Sequence, residues 1–183
     1  MATDNSGCED GLTWTFKIRE GVKIHDGTDL EAEAVKFSIE RTIELGQGAA
    51  FIWDPVESIN VVDPYTVEFK LEYPAPIDLI CASAYAAFIL SPTAAQSNPD
   101  DWFTQGNEAG TGPYMLQSYQ PGEQVVLTQF PEYWGGWEGE HYEKAVIRAV
   151  SESATKRQLV TKGDVDITME LPAEDLEALK SDP

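Results

Sequence analysis

The chain has 183 residues, 42% of them apolar and 10% aromatic, which is enough to pack one domain or two small ones. Its 32 acidic against 12 basic residues give a formal net charge of -20, which opposes binding to nucleic acid or to an anionic bilayer. The acidic residues are spread along the chain, as on a solvated surface or in a salt-adapted protein. No segment has the ~20 consecutive apolar residues of a membrane span, and the first residues lack a signal-peptide pattern, so an exported protein would carry its signal upstream.

The first half of the chain begins with a strand pattern and continues with a helix pattern. Apolar and polar residues alternate from Leu12 to Ile18, which predicts a half-buried strand. From Leu30 to Leu45 the apolar residues recur at helical spacing, and Gly46 ends the predicted helix. Because Glu and Ala stand at its start, we expect Thr28 or Asp29 to cap this helix one turn earlier.

Two pairs of alternating β-patterns, each interrupted by a proline-containing turn, predict hairpins at 56–71 and 114–129. The polar, turn-rich segment 97–112 separates the two halves of the chain. The other predicted elements are a short helix from Ile77, a helical turn after Pro92, a strand at 145–150, a helix at 153–162, a short strand at 165–167 and a helix at 172–180. Strands and helices mix without regular βαβ alternation, so the predicted fold class is α+β or irregular α/β.

The sequence offers few groups for catalysis. His25 and His141 are the only histidines, and we expect His25 to stabilise the turn after its strand and His141 to be exposed. No zinc-binding spacing and no glycine-rich phosphate loop occurs, so neither an enzyme nor a metal or cofactor is expected. A hydrolase with paired carboxylates remains the least favoured alternative, since 32 acidic residues supply such pairs by chance. Cys8 and Cys81 allow either one disulfide or two free thiols.

Four segments carry a resemblance to a known family. They are LTWTFKIREGVKIHDGTDLEAEAVKFSIERT at 12–42, GTGPYMLQSYQPGEQVVLTQFPEYWGG at 110–136, TKRQLVTKGDVDIT at 155–168 and LPAEDLEALKSDP at 171–183. In this order they resemble the extracellular solute-binding proteins of the peptide, oligopeptide and nickel ABC-transporter family, which is bacterial solute-binding protein family 5. The resemblance covers nearly the whole chain.

The resemblance implies a type II periplasmic-binding fold, in which two lobes close around a ligand. Family members are much longer, so this chain is expected to be a fragment of lobe one, with the second lobe absent. Residues 1–110 would form the small subdomain, and residues 111–183 part of the main subdomain. The implied location is periplasmic or extracellular, with or without a lipid anchor in the parent protein.

The implied function is the substrate-binding part of an ABC importer, which captures di- or oligopeptides and delivers them to the permease subunits. Nickel chelates or oligosaccharides are alternative ligands, and a protein-interaction or signalling module is an alternative role. The resemblance places Phe51, Trp53, Tyr85 and Phe88 near the cleft, where aromatic surface suits ligands with varied side chains. No catalytic residue is implied. Trp134 and Trp137 are expected to pack within the lobe.

Overall fold

The computed structural model describes residues 2–8, 10–82, 87–99 and 101–180. The strands are β1 (Ala2–Gly7), β2 (Thr13–Ile18), β3 (Val56–Asp63), β4 (Thr66–Leu71), β5 (Tyr114–Gln120), β6 (Gln124–Gln129) and β7 (Lys144–Arg148). The α-helices are α1 (Ala32–Leu45), α2 (Ile77–Ala82), α3 (Pro92–Ser97), α4 (Ser153–Thr161) and α5 (Ala173–Lys180). Short 3-10 helices lie at Ala50–Trp53 and Phe103–Gln105. The α+β prediction and both predicted hairpins are confirmed.

The first half of the chain folds around an antiparallel sheet of order β1-β2-β4-β3. In β2, Phe16 and Ile18 are buried at alternate positions, and in β4, Val67, Phe69 and Leu71 are, as the period-2 pattern predicts. Helix α1 packs against β3 and β4. The buried apolar cluster formed in this way includes Val22, Ile24, Leu30, Ile39, Trp53, Ile59 and Ile77.

The second half has an antiparallel meander of order β5-β6-β7 and very little core. Among the described residues after 110, Phe130 is the one apolar residue that is buried. Val146 and Ile147 of the edge strand β7 are exposed, and so are Ile167 and Met169 beyond it. Neighbouring residues of a strand point to opposite faces, so both faces of the sheet carry apolar surface in contact with solvent.

Helices α4 and α5 pack against each other and share an ion pair. Arg157 Nη1 lies 3.0 Å from Asp175 Oδ1, and the carboxylate of Asp175 is the more buried partner. No helix in the described part of the chain is long and apolar enough to cross a membrane. Cys8 and Cys81 are both free thiols, and burial beside Asp78 raises the pKa of Cys81 to about 11.

Three local predictions were wrong or incomplete. Residues 165–167 form no strand, because no neighbouring strand pairs with them in the described part of the chain. Glu31 occupies the N-cap position of α1 without a side-chain cap, and Asp29 instead forms an ion pair with Lys23. Strand β1 was not predicted, since its six residues are all exposed and show no apolar alternation.

Candidate functional site

Phe51, Trp53 and Phe88 lie on two segments that border helix α1. The 3-10 helix that carries Phe51 and Trp53 packs on α1. The segment that carries Phe88 is tied to α1 by Ser38, whose Oγ accepts a hydrogen bond from Leu90 N at 3.0 Å and donates one to Ala34 O at 2.6 Å. The side chain of Ser38 is buried, so this connection is held away from water.

The two aromatic residues of the 3-10 helix face opposite environments. Ala50 and Trp53 are three positions apart, on the same side of the 3-10 helix, and both are buried. The Trp53 ring stacks on Phe69 with centroids 6.0 Å apart and is 1% exposed, whereas Phe51 is 68% exposed. Trp53 is therefore a core residue in this structure, and the expectation that it contacts ligand is corrected.

Phe88 is the second exposed aromatic residue of the candidate set, with 69% of its surface accessible. It precedes Leu90 and Ser91, whose backbone N–H groups are bound to Ser38 and to Ala109 O. The backbone next to Phe88 is thus held in place while its ring remains free to contact another molecule. The fourth candidate, Tyr85, lies outside the described residues.

A surface cavity lies elsewhere, at the junction of the two sheets. Its volume is about 510 Å³, and its walls are the turn at 25–28, helix α3, the segment 102–108 and the start of β5. Most of its lining residues are polar, among them Asn98 and Asn107, and Trp102 forms an aromatic wall. None of Phe51, Trp53 and Phe88 lines it. The structure therefore separates the exposed aromatic residues from this cavity.

His25 makes contacts across this junction, whereas the sequence predicted only that it stabilises a local turn. Its Nδ1 lies 2.6 Å from Glu108 Oε2 and its Nε2 lies 2.9 Å from Gly112 O, 83 and 87 residues further along the chain. The ring also meets Phe130 edge to face, with centroids 4.7 Å apart. No spacing signal in the sequence could have paired residues so far apart.

The pKa values of this pair are shifted in opposite directions. Burial alone would lower the pKa of His25, but the bonds to Glu108 and Gly112 and the charges of Glu108 and Asp26 outweigh it, so the pKa lies above 6.5. Burial alone would raise the pKa of Glu108, but hydrogen bonds from His25, Gly110 N and Leu116 N hold it below 4.5. Each shift favours the ionised form of its group.

Further contacts join the two halves at the same place. The guanidinium of Arg19 lies over the Trp134 ring, 4.6 Å from its centroid, and His25 N donates to Gly110 O. Gly106 adopts a φ of 85°, and a Cβ added there would lie 1.9 Å from the Tyr119 ring, so only glycine allows this close approach.

The other predicted packing residues belong to an aromatic cluster beside β6. Trp137 contacts Tyr114 and Tyr133, with centroid separations of 5.4 and 5.7 Å, and its Nε1 donates to Phe130 O. Trp134 lies 5.2 Å from Tyr133. The predicted packing role of Trp137 is confirmed, whereas Trp134 is 37% exposed and packs only in part. In the ranges that the structure describes, no three His, Cys, Asp or Glu side chains are placed to hold a metal ion.

Two curated proteins are similar to this chain over nearly its whole length. The probable D,D-dipeptide-binding periplasmic protein DdpA of Escherichia coli K12 is 35% identical over 100% of this chain and 36% of its own length. The glutathione-binding protein GsiB of the same strain is 26% identical over 95% of this chain and 34% of its own length. The chain thus spans about a third of the curated relatives it matches.

A solved structure gives the same result for the fold. MoaA of Agrobacterium tumefaciens R10, determined with mannopinic acid, superimposes with a TM-score of 0.88 at 27% identity, over 100% of this chain and 37% of its own. The architecture is therefore that of one part of a type II periplasmic-binding protein, matching a single lobe. Residues 1–183 match the bacterial extracellular solute-binding proteins, family 5 middle. The chain belongs to this family.

Proposed function

We propose that this chain is part of lobe one of a two-lobed protein that captures peptides outside the membrane and delivers them to the permease of an ABC importer. Membership in a family of extracellular solute-binding proteins supports the capture role. The relatives named for D,D-dipeptides and for glutathione, itself a tripeptide, favour peptides as the solute class. The proposed location is periplasmic or extracellular.

The two sheets support a division of the chain into two subdomains. We infer that residues 1–110 form the small subdomain of the lobe, and that 111–183 form part of a larger one. The small subdomain has its own core, whereas the second sheet exposes apolar residues on both faces. In this proposal the rest of the complete protein covers that sheet, because a sheet with solvent on both faces is marginal by itself.

Phe51 and Phe88 are the proposed ligand contacts of this lobe. Their exposure is the single observation that carries the assignment, since a large aromatic ring in water contributes binding energy only when another surface covers it. A ligand held between two lobes would cover these rings and favour the closed state through contacts that the open state lacks. Tyr85 remains a third candidate by resemblance alone.

Other solutes fit the same arrangement. Aromatic faces also stack on sugars, and a chelated metal could be held by charges on the other lobe, so oligosaccharides and nickel chelates are the alternative ligands. The alternative role is a protein-interaction module, in which a partner protein covers Phe51 and Phe88 in place of a second lobe. Each would leave the two rings in contact with a different molecule, which a binding experiment separates.

The test is a calorimetric titration of the complete protein with dipeptides and tripeptides. We expect reversible binding that Phe51→Ala and Phe88→Ala each weaken by about tenfold, because each removes roughly 1–2 kcal/mol of buried aromatic contact. Tyr73→Ala is the matched control, since Tyr73 is another exposed aromatic residue of the small subdomain and is not a proposed contact.

Equal loss in all three variants would argue against specific contacts by Phe51 and Phe88. Absence of binding by the unmodified protein to peptides, together with binding to a sugar or a nickel chelate, would replace the proposed solute. Binding to none of these would favour the interaction-module alternative.

A further inference from the structure

The hydrogen bonds around His25 fix how many protons its ring must carry. Nδ1 faces a carboxylate oxygen of Glu108, and Nε2 faces the carbonyl oxygen of Gly112. Both partners are acceptors, and a neutral imidazole has only one N–H to donate. While Glu108 is ionised, both bonds are therefore made together only by the doubly protonated, positively charged ring.

The same carboxylate holds the neighbouring backbone. Glu108 Oε2 accepts a hydrogen bond from Gly110 N at 2.9 Å, and Oε1 accepts one from Leu116 N at 3.2 Å. Leu116 lies in β5, the first strand of the second sheet. His25 lies after β2, a strand of the first sheet. One charged pair thus ties both sheets to the segment between them.

We propose that protonated His25 is a latch between the two sheets, so that loss of its second proton loosens the junction at residues 108–116. This latch goes beyond the proposed function and does not depend on the identity of the solute. A neutral ring keeps one bond, to Glu108 or to Gly112, and leaves the other acceptor without its donor. That acceptor lies at a junction where the His25 side chain is only 5% exposed.

The charges that face His25 all favour the protonated ring. Glu108 approaches from the segment before β5, and Asp26 from the turn that contains His25, where it accepts hydrogen bonds from Thr28 and Ser91. Glu132, after β6, acts on the neighbouring Lys23, which is also paired with Asp29. Phe130, the contact from the end of β6, is uncharged.

The direction of the pH dependence follows from these shifts. The pKa of His25 is raised, so its contribution is complete below 6.5 and is lost as the pH rises through the raised value. The pKa of Glu108 is lowered, so its contribution is complete above 4.5 and is lost as the pH falls through the lowered value. Both shifts therefore favour the closed latch in the pH range that lies below the raised pKa of His25 and above the lowered pKa of Glu108.

The cavity at the junction gives protons access to the pair. His25, Asp26 and Glu108 all line it, and the Glu108 side chain is 30% exposed. Proton exchange with solvent therefore needs no unfolding of either sheet.

Histidine-selective ¹⁵N NMR of the 183-residue chain tests the latch. We expect His25 to titrate above pH 6.5, with both ring N–H groups present in the charged form, and Glu108→Gln to lower the midpoint. His141→Gln assigns the two rings and serves as the control, because His141 is exposed and contacts the nearby Glu138 O and the Trp137 ring. A His25 midpoint at or below 6.5, or one that Glu108→Gln leaves unchanged, would overturn the proposal.

Hydrogen exchange measures the loosening itself. After correction for intrinsic rates, the amides of His25 and Leu116 should exchange about tenfold faster above the measured midpoint than below it, as expected for loss of one hydrogen bond to a charged group. Amides of the β2–β4 pair are the internal control and should not change. His25→Gln should remove the pH dependence, and equal acceleration of all amides would contradict a local latch.

Discussion

Trp53→Ala should lower the free energy of unfolding of the small subdomain by about 3–5 kcal/mol, the usual cost of removing a fully buried large aromatic ring. The ring is 1% exposed, stacks on Phe69 and belongs to the one apolar cluster that α1 and the first sheet share. Its removal leaves a cavity that the rigid strands around it cannot close. Urea denaturation followed by circular dichroism gives the value.

Phe51→Ala is the matched control for Trp53→Ala. It removes an aromatic ring two residues away in the same 3-10 helix, but that ring is exposed, so we expect a change within about 0.5 kcal/mol. The two variants should thus distinguish Trp53, which stabilises the fold, from Phe51, which is the proposed ligand contact. The sequence alone did not distinguish them. Comparable destabilisation by both would mean that Phe51 is also packed, and would remove it from the proposed site.

The largest expected difference within the chain is between its two sheets. Amides of the β2–β4 pair should exchange with solvent about a thousandfold more slowly than those of the β5–β6 pair, a difference of about 4 kcal/mol in opening free energy. The buried apolar cluster covers the first sheet. Beside the second sheet, Phe130 is the one buried apolar residue among the described residues after 110. Hydrogen exchange with mass spectrometry measures both pairs in one experiment.

The second sheet also supplies the control for this difference. If the exposed apolar surface of β7 is covered in the complete protein, the β5–β6 amides should become protected there, while the isolated chain should self-associate through it. Ile147→Lys should reduce that self-association, as followed by light scattering. Equal protection of both sheets in the isolated chain, or a clean monomer at high concentration, would contradict the proposed division.

Elements with a local signal were predictable from the sequence. Strands β2 and β4 bury alternate apolar residues, so the period-2 pattern determines both their position and their inner face. Ser91 is the N-cap of helix α3, and its Oγ accepts a hydrogen bond from Ala94 N. Proline occupies the first position of the helix, so the start signal is local. In each case the information lies within a few residues.

Features that depend on distant partners could not be predicted. Strand β1 is held by backbone pairing with β2 and carries no apolar pattern. The predicted strand at 165–167 had a suitable pattern but pairs with no strand among the residues that the structure describes. Trp53 and Phe51 were indistinguishable in a loop of unknown periodicity, and His25 meets Glu108 only because the two sheets are brought together. Tertiary contacts decided each of these outcomes.

Native mass spectrometry of the complete protein, purified without denaturation, tests the central claim most directly. We predict that the protein carries a heterogeneous set of peptide masses, and that Phe51→Ala and Phe88→Ala reduce the amount retained while Tyr73→Ala does not. A single sugar or metal-chelate mass would contradict the proposed solute. An empty protein that also fails to bind added peptides would contradict the capture of peptides by this lobe.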